Sequence, residues 1–184
     1  MNKKPFDSAQ GKTALHVLIL FTATFLTFFW VTDENLSYYS LQLTGILLLT
    51  LIITHHTIKP ASFKLVESTV STMAVLLVTE ATGGISSPLF FLTFFLLFEL
   101  SLLLEPIIPL FLSGAFILFY LFTAPQSLSG LSWLELLAFP VMTPLAIWFG
   151  NMYQKSQNQR KEIRGLERKV EELTEELVME EVEK

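Results

Sequence analysis

Leu15-His16-Val17-Leu18-Ile19-Leu20-Phe21-Thr22-Ala23-Thr24-Phe25-Leu26-Thr27-Phe28-Phe29 carries no Lys, Arg, Asp or Glu on any face. Leu89-Phe90-Phe91-Leu92-Thr93-Phe94-Phe95-Leu96-Leu97-Phe98 does the same. A helix that packs in water shows a polar face at a 3.6-residue period. A stretch that is apolar all round is made for hydrocarbon, so these two runs exclude a soluble helical bundle. The whole chain agrees: of 184 residues 52% are hydrophobic and 16% charged, against about 25% charged in ordinary soluble domains. With no Cys, disulfides, iron–sulfur clusters, thiolate zinc sites and thiol switches are removed together.

Working outward, six apolar runs have about the length a helix needs to cross ~30 Å of hydrocarbon: residues 13–32, 36–56, 65–82, 88–105, 107–123 and 133–152. The breaks differ chemically. Asp33-Glu34-Asn35 is the first, His55-His56-Thr57-Ile58-Lys59-Pro60 the second and Thr82-Gly83-Gly84-Ile85-Ser86-Ser87-Pro88 the third. Glu105-Pro106 with Pro109 forms the fourth, and Ala124-Pro125-Gln126-Ser127-Leu128-Ser129-Gly130 the fifth. Pro lacks the amide donor and Gly lacks conformational restraint, so both stop helices. The first run is full length and is followed at once by another, which argues against a removable leader. Lys3, Lys4 and Lys12 precede the first run, Lys59 and Lys64 lie near the second break, and Lys155, Arg160, Lys161 and Arg164 follow the sixth. The loops on the other side hold no Lys or Arg. Basic residues stay on the cytoplasmic side, so both termini are expected there. A five-span alternative, with Glu105-Pro106 as a kink, would place four basic residues outside.

From Tyr153 the composition turns polar, which divides the chain into a membrane domain, 1–152, and a tail, 153–184. Ile163, Leu166, Val170, Leu173 and Leu177 alternate spacings of three and four, the seam of a left-handed coiled coil. Extending the frame backwards adds Phe149, Met152, Ser156 and Gln159, so the last membrane helix is expected to run into the tail. Residues 155–169 hold six basic and two acidic side chains, and 170–184 hold seven Glu and one Lys. The basic half suits anionic headgroups, and the acidic half projects from them. Three heptads are marginal alone, but confinement to a membrane raises the effective concentration of a partner helix. A parallel homodimer is expected; the alternative is a solvated single helix. The pattern is still open at Lys184, as a linker to a further domain would be.

An ionisable residue at bilayer depth is a functional candidate. Glu99 lies eleven residues after Pro88, or ~16 Å along a helix, near the midplane. Desolvation there favours the neutral acid, which donates a hydrogen bond to a ligand, relays a proton or ties two helices together. Ser68, Ser71, Thr72, Thr79 and Thr82 fall on one arc of the third span, a stripe of small hydroxyl residues that faces other helices. Glu80 is offset from this stripe and is expected to reach the membrane interface; Glu67 and Glu105 mark the inner boundary. His55 and His56 point about 100° apart on a helix and chelate poorly, so no metal site is expected. Pro140 and Pro144 interrupt the hydrogen bonding of the sixth span.

Thr82-Gly83-Gly84-Ile85-Ser86-Ser87-Pro88-Leu89-Phe90 resembles the Gly-Gly-x-x-Asn-Pro-Phe loop of redox-sensing histidine kinases of the RegB/PrrB type. It is similar also to the Thr-Gly-Gly-x-x-Ser-Pro-Phe versions in the six-span input domains of other bacterial sensor kinases, type IV pilus sensor kinases among them. The resemblance implies six spans ahead of a helical linker and a kinase core, in a bacterial inner membrane and a two-component system. It implies a ligand site at Gly83, Gly84, Ser87, Pro88, Leu89 and Phe90, with quinone as the ligand of the redox-sensing members. Ser87 stands where those members have Asn, and Leu89 where they have Phe. Independently of the family, Gly83-Gly84 allows positive φ, and Pro88 is expected to open the next helix with free backbone donors around it. The alternative is a tight interhelical turn.

No P-loop, His-Glu-x-x-His, Gly-x-Ser-x-Gly or kinase glycine loop appears, so the chain is not expected to be an enzyme or to need a cofactor, and nothing in it suggests nucleic-acid binding. The expected fold is an all-α polytopic membrane bundle of six transmembrane helices with a C-terminal cytoplasmic coiled coil. Its expected function is a dimeric sensory input module in the lipid bilayer, acting on a cytoplasmic kinase or other output partner. The alternatives are a membrane anchor or scaffold that recruits through its coiled coil, and a small transporter with Glu99 as its proton site.

Overall fold

Helix punctuation follows the chemistry of the breaks. A computed structural model describes residues 6–57, 60–105, 107–124 and 130–182. Lys3, Lys4, Lys59, Pro106, residues 125–129 of the fifth break, Glu183 and Lys184 lie outside them. Asp33 closes the first apolar helix, α1 (Phe6–Thr32), and caps the short α2 (Glu34–Ser37): its Oδ1 accepts from the amides of Asn35 at 2.9 Å and Leu36 at 3.1 Å. A side-chain oxygen there satisfies donors that a helix start leaves orphaned. Then come α3 (Ser40–Thr57) and α4 (Pro60–Ala81), which opens on a proline, the residue best tolerated at a first helical position. A 3₁₀ turn (Gly84–Ser86) leads to α5 (Phe91–Leu103), α6 (Ile108–Thr123) and the 53-residue α7 (Gly130–Val182). The described residues contain no strand.

The chain divides into two units, Met1–Gly150 and Asn151–Lys184. In the first, α4 packs on α1, α3 and α5, and α6 packs on α1 and α5. Side-chain pairs fix the directions. Thr13 bonds Glu105 while Phe28 meets Phe119 and Phe122, so α1 and α6 run parallel. Glu80 meets Thr123, making α4 parallel to α6. Phe90 meets Tyr120, so α5 opposes α6. Phe94 meets Phe139 and Ser101 meets Ala146, so the first part of α7 runs with α5. Helix direction therefore alternates from α4 to α7.

Leu20, Leu76, Leu97, Phe116 and Phe139 are fully buried at the centre, while Phe21, Leu49, Phe95 and Leu134 are exposed on the outside. The fold is apolar both within and without. Burial therefore does not explain the outer face, which is compatible with a hydrocarbon solvent. Three helices are long and apolar enough to cross a membrane: α1 over Thr13–Thr32, α3, and α7 within Ser132–Glu175. The other three runs fall short by that measure. α4 is long but carries Lys64, Glu67 and Glu80, and α5 and α6 have 13 and 16 residues, or ~20 and ~24 Å.

Hydroxyl residues line the buried seams. Thr27, Thr72 and Thr79 are fully buried, and each donates to the carbonyl one turn back, at 2.9, 2.7 and 2.7 Å. This back-bonding satisfies the hydroxyl without a neighbour and leaves a small, apolar flank for packing.

Helices α5 and α7 approach closely at Ser101 and Gly150. Ser101 donates its Oγ to the Ala146 carbonyl at 2.6 Å, and a Cβ on Gly150 would come within 2.6 Å of the Ser101 carbonyl oxygen. The position requires a residue with no side chain.

In the second unit, Ile163, Leu166, Val170 and Leu173 are each more than half exposed, and the first three edge a shallow groove with Glu167 and Glu171. The side chain of Leu177 lies outside the described residues. Arg168 and Glu172 pair at 3.6 Å on the surface, an exposed pair of little energetic weight.

Gly150→Ala should destabilise the bundle by about 1–3 kcal/mol through overpacking. Gly114→Ala, with nothing within 4 Å of the new Cβ, should be neutral or stabilising by up to ~1 kcal/mol. Thermal unfolding in detergent micelles separates the two.

Candidate functional site

The turn that links α4 to α5 holds itself together. Gly83 and Gly84 have φ of 123° and 61°, the region an L side chain avoids. That backbone lets Ser86 and Ser87 amides reach the carbonyls of Gly83 and Gly84, at 3.2 and 3.1 Å, while the Gly83 amide reaches the Glu80 carbonyl at 3.2 Å. Ser87 is buried, and its Oγ lies 2.5 Å from Thr82 Oγ1 and accepts from the Leu89 amide at 3.0 Å. Pro88 does not open α5. It stands in a turn in which Phe90 donates to the Ser87 carbonyl at 3.0 Å, and the helix begins at Phe91. The free donors anticipated around Pro88 are thus engaged at Gly83, Ser86, Ser87, Leu89 and Phe90. Pro88 is exposed, Leu89 half-buried and Phe90 buried.

Glu80 turns inward, toward the end of α6. Its Oε1 accepts from Thr123 Oγ1, on the last residue of α6, at 2.8 Å, and its Oε2 stands 3.2 Å from where a Gly84 Cβ would be. The hydroxyl at the end of α6 and the absence of a side chain at Gly84 make this pose available. Neither neighbour is visible along the α4 sequence.

Tyr120, one turn before Thr123, is fully buried, and its hydroxyl has no hydrogen-bond partner among the described residues. The Thr79 hydroxyl lies close enough to act on it as a hydrogen-bonding group, though short of full bonding geometry, and the Glu80 carboxylate lies within electrostatic reach. The sequence reading missed this residue. Its signal was a phenol in a run of Phe, because a buried phenolic hydroxyl ordinarily finds a partner. Phe90 joins the turn to the core: its ring centroid is 5.0 Å from Tyr120 on α6 and 5.9 Å from Phe139 on α7. Phe139 immediately precedes Pro140, and α7 continues helical through it.

Glu99 is separate from this cluster. Half-buried on α5, it accepts from Ser71 Oγ of α4 at 3.2 Å, with Glu67 in electrostatic reach. The hydroxyl stripe divides accordingly: Ser68, Thr72 and Thr79 are buried, Ser71 serves Glu99, and Thr82 serves Ser87. Among the described residues no three His, Asp or Glu side chains gather as metal ligands. Set against protein-family models, characterised proteins and solved structures, the chain gives no match.

Gly84→Ala should destabilise by about 1–2 kcal/mol through its left-handed backbone, with a further loss from contact with Glu80. In a Glu80→Ala background the further loss should vanish, which a double-mutant cycle on thermal unfolding reads directly. Tyr120→Phe removes an unpartnered polar atom, so stability should rise or hold; a fall of more than ~1 kcal/mol on the same measurement would show a hidden partner.

Proposed function

We propose that the chain is a membrane sensory input module, in which the self-closed turn at residues 83–90 reports through Phe90 to the last helix. The supporting observation is the Phe90 ring, edged against Tyr120 and Phe139 at once. A stimulus that moves the turn must repack Phe90, and Phe139 lies on the helix that leads toward the tail. The turn resembles the input-domain loop of bacterial sensor histidine kinases, and the proposed output is a kinase core or other cytoplasmic partner. A ligand drives such a shift only by binding two packings with different affinity.

The proposal takes the bundle as six spans in a bacterial inner membrane with both termini cytoplasmic. Alternating helix directions and the one-sided Lys and Arg support it. For α5 and α6, short by several ångströms, local thinning of the bilayer supplies the remainder at modest cost. The tail seam at Ile163, Leu166, Val170 and Leu173 would pair two copies in parallel. A second reading is favoured by the engaged backbone donors of the turn, which leave a ligand little to bond: a membrane scaffold that recruits through the same seam without sensing.

Fused to a kinase core, Phe90→Ala and Phe139→Ala should each change autophosphorylation by severalfold, while Phe91→Ala, on the exposed side of α5, should not. Unchanged output from the first two would favour the scaffold. Leu166→Cys should give disulfide-linked dimers in membranes under either reading.

A further inference from the structure

Between α1 and α6 the outer surface is cut by a furrow. Its inner part is a hollow of about 610 Å³ whose lining includes Thr13, Val17, Glu105 and Phe111. Its outer part is a hollow of about 350 Å³ with Thr24, Phe25, Phe28, Ala115, Leu118 and Phe122 in its walls. A notch of about 10 Å³ over Leu20 and Leu112 lies between them, and Phe21 borders all three. From Thr13 to Phe28 the furrow follows α1 for ~22 Å. Its polar groups sit at one end: Thr13 donates to the exposed Glu105 carboxylate there. The Thr24 hydroxyl is turned back onto the Leu20 carbonyl at 3.0 Å.

We infer that this furrow seats one acyl chain of a phospholipid whose ammonium headgroup is held by Glu105. Three observations select that occupant. The notch admits about one water-sized sphere, whereas a helix with its side chains is about 10 Å across, so a thin chain fits and a second copy's helix does not. Apolar walls with a polar terminus at one end complement an amphiphile. An acidic terminus favours a cationic group over an anionic headgroup. The placement of Glu105 at the cytoplasmic face rests on the membrane orientation proposed above; the furrow and its polarity do not depend on it. Phosphatidylethanolamine is the probe that carries this chemistry.

The protein in nanodiscs of mixed phosphatidylethanolamine and phosphatidylglycerol is exposed to a trace of phosphatidylethanolamine with a photoreactive group on its chain, and labelled residues are mapped by mass spectrometry. Helix α3 is the internal control, because Leu49, Ile52 and Ile53 are about 60% exposed but border none of these hollows. Residues of the furrow should be labelled severalfold more than α3. Leu118→Trp, which narrows the outer hollow from an exposed position, should bring them to the α3 level. Glu105→Gln should cut the preference for phosphatidylethanolamine over a phosphatidylglycerol probe by about fivefold, the effect of one charge at a membrane surface. Equal labelling of furrow and α3 would mean bulk lipid only and overturn the inference. A furrow left unlabelled beside a labelled α3 would overturn it in favour of a covering protein helix. Loss of label on α3 as well would overturn the membrane reading with it. None of these outcomes depends on whether the module signals.

Discussion

A backbone in hydrocarbon has no water to bond, so each amide and carbonyl must find its partner within the protein. Most features of the bundle answer that demand. The apolar runs are helical, the buried threonines bond their own preceding turn, and the connection at residues 83–90 folds into consecutive short-range hydrogen bonds. Three buried side-chain atoms among the described residues remain unpartnered: Trp30 Nε1, Ser40 Oγ and Tyr120 OH. They belong to the last turn of α1, the first residue of α3 and the last turn of α6, positions that chain order puts at one end of the bundle. The glycine turn and Glu80 stand at that end as well. The unpartnered atoms, the glycine turn and Glu80 thus share one end of the bundle, opposite the Thr13–Glu105 bond.

Glycine is used here for two separate physical reasons. At Gly83 and Gly84 the requirement is conformational, since positive φ lets the turn close on itself and leaves room for the Glu80 carboxylate. At Gly150 it is steric, since the Ser101 backbone occupies the place of a Cβ. The first fixes the outer turn; the second fixes how near α7 approaches α5. A signal passing from one to the other would travel through the ring contacts of Phe90 and Phe139, and its amplitude would be bounded by the close contact at Gly150.

The carboxylates of α4 and α5 have different settings. Glu80 is held by the end of a neighbouring helix and by a turn, while Glu99 has one serine partner and a second carboxylate nearby. The tail is different again: its apolar residues stand in line, more than half exposed, on a charged helix.

The apolar runs, the breaks at Asp33-Glu34-Asn35 and ahead of Pro60, and the heptad spacing of the tail were all legible in the sequence, because each depends on residues within one or two helical turns; that Asp33 caps α2 and Pro60 opens α4 was not read there. The inward turn of Glu80, the place of Tyr120, the double contact of Phe90 and the need for glycine at 150 were not. Each depends on which helix lies alongside and at what height, and a run that is apolar on every face carries no periodicity to say so. Pro88 shows the same limit at short range: the sequence marked a helix start, and the hydrogen bonds of Ser87 moved it to Phe91. Hydrophobicity determined that there are helices long and apolar enough to cross a membrane; packing between them decided which side chains meet.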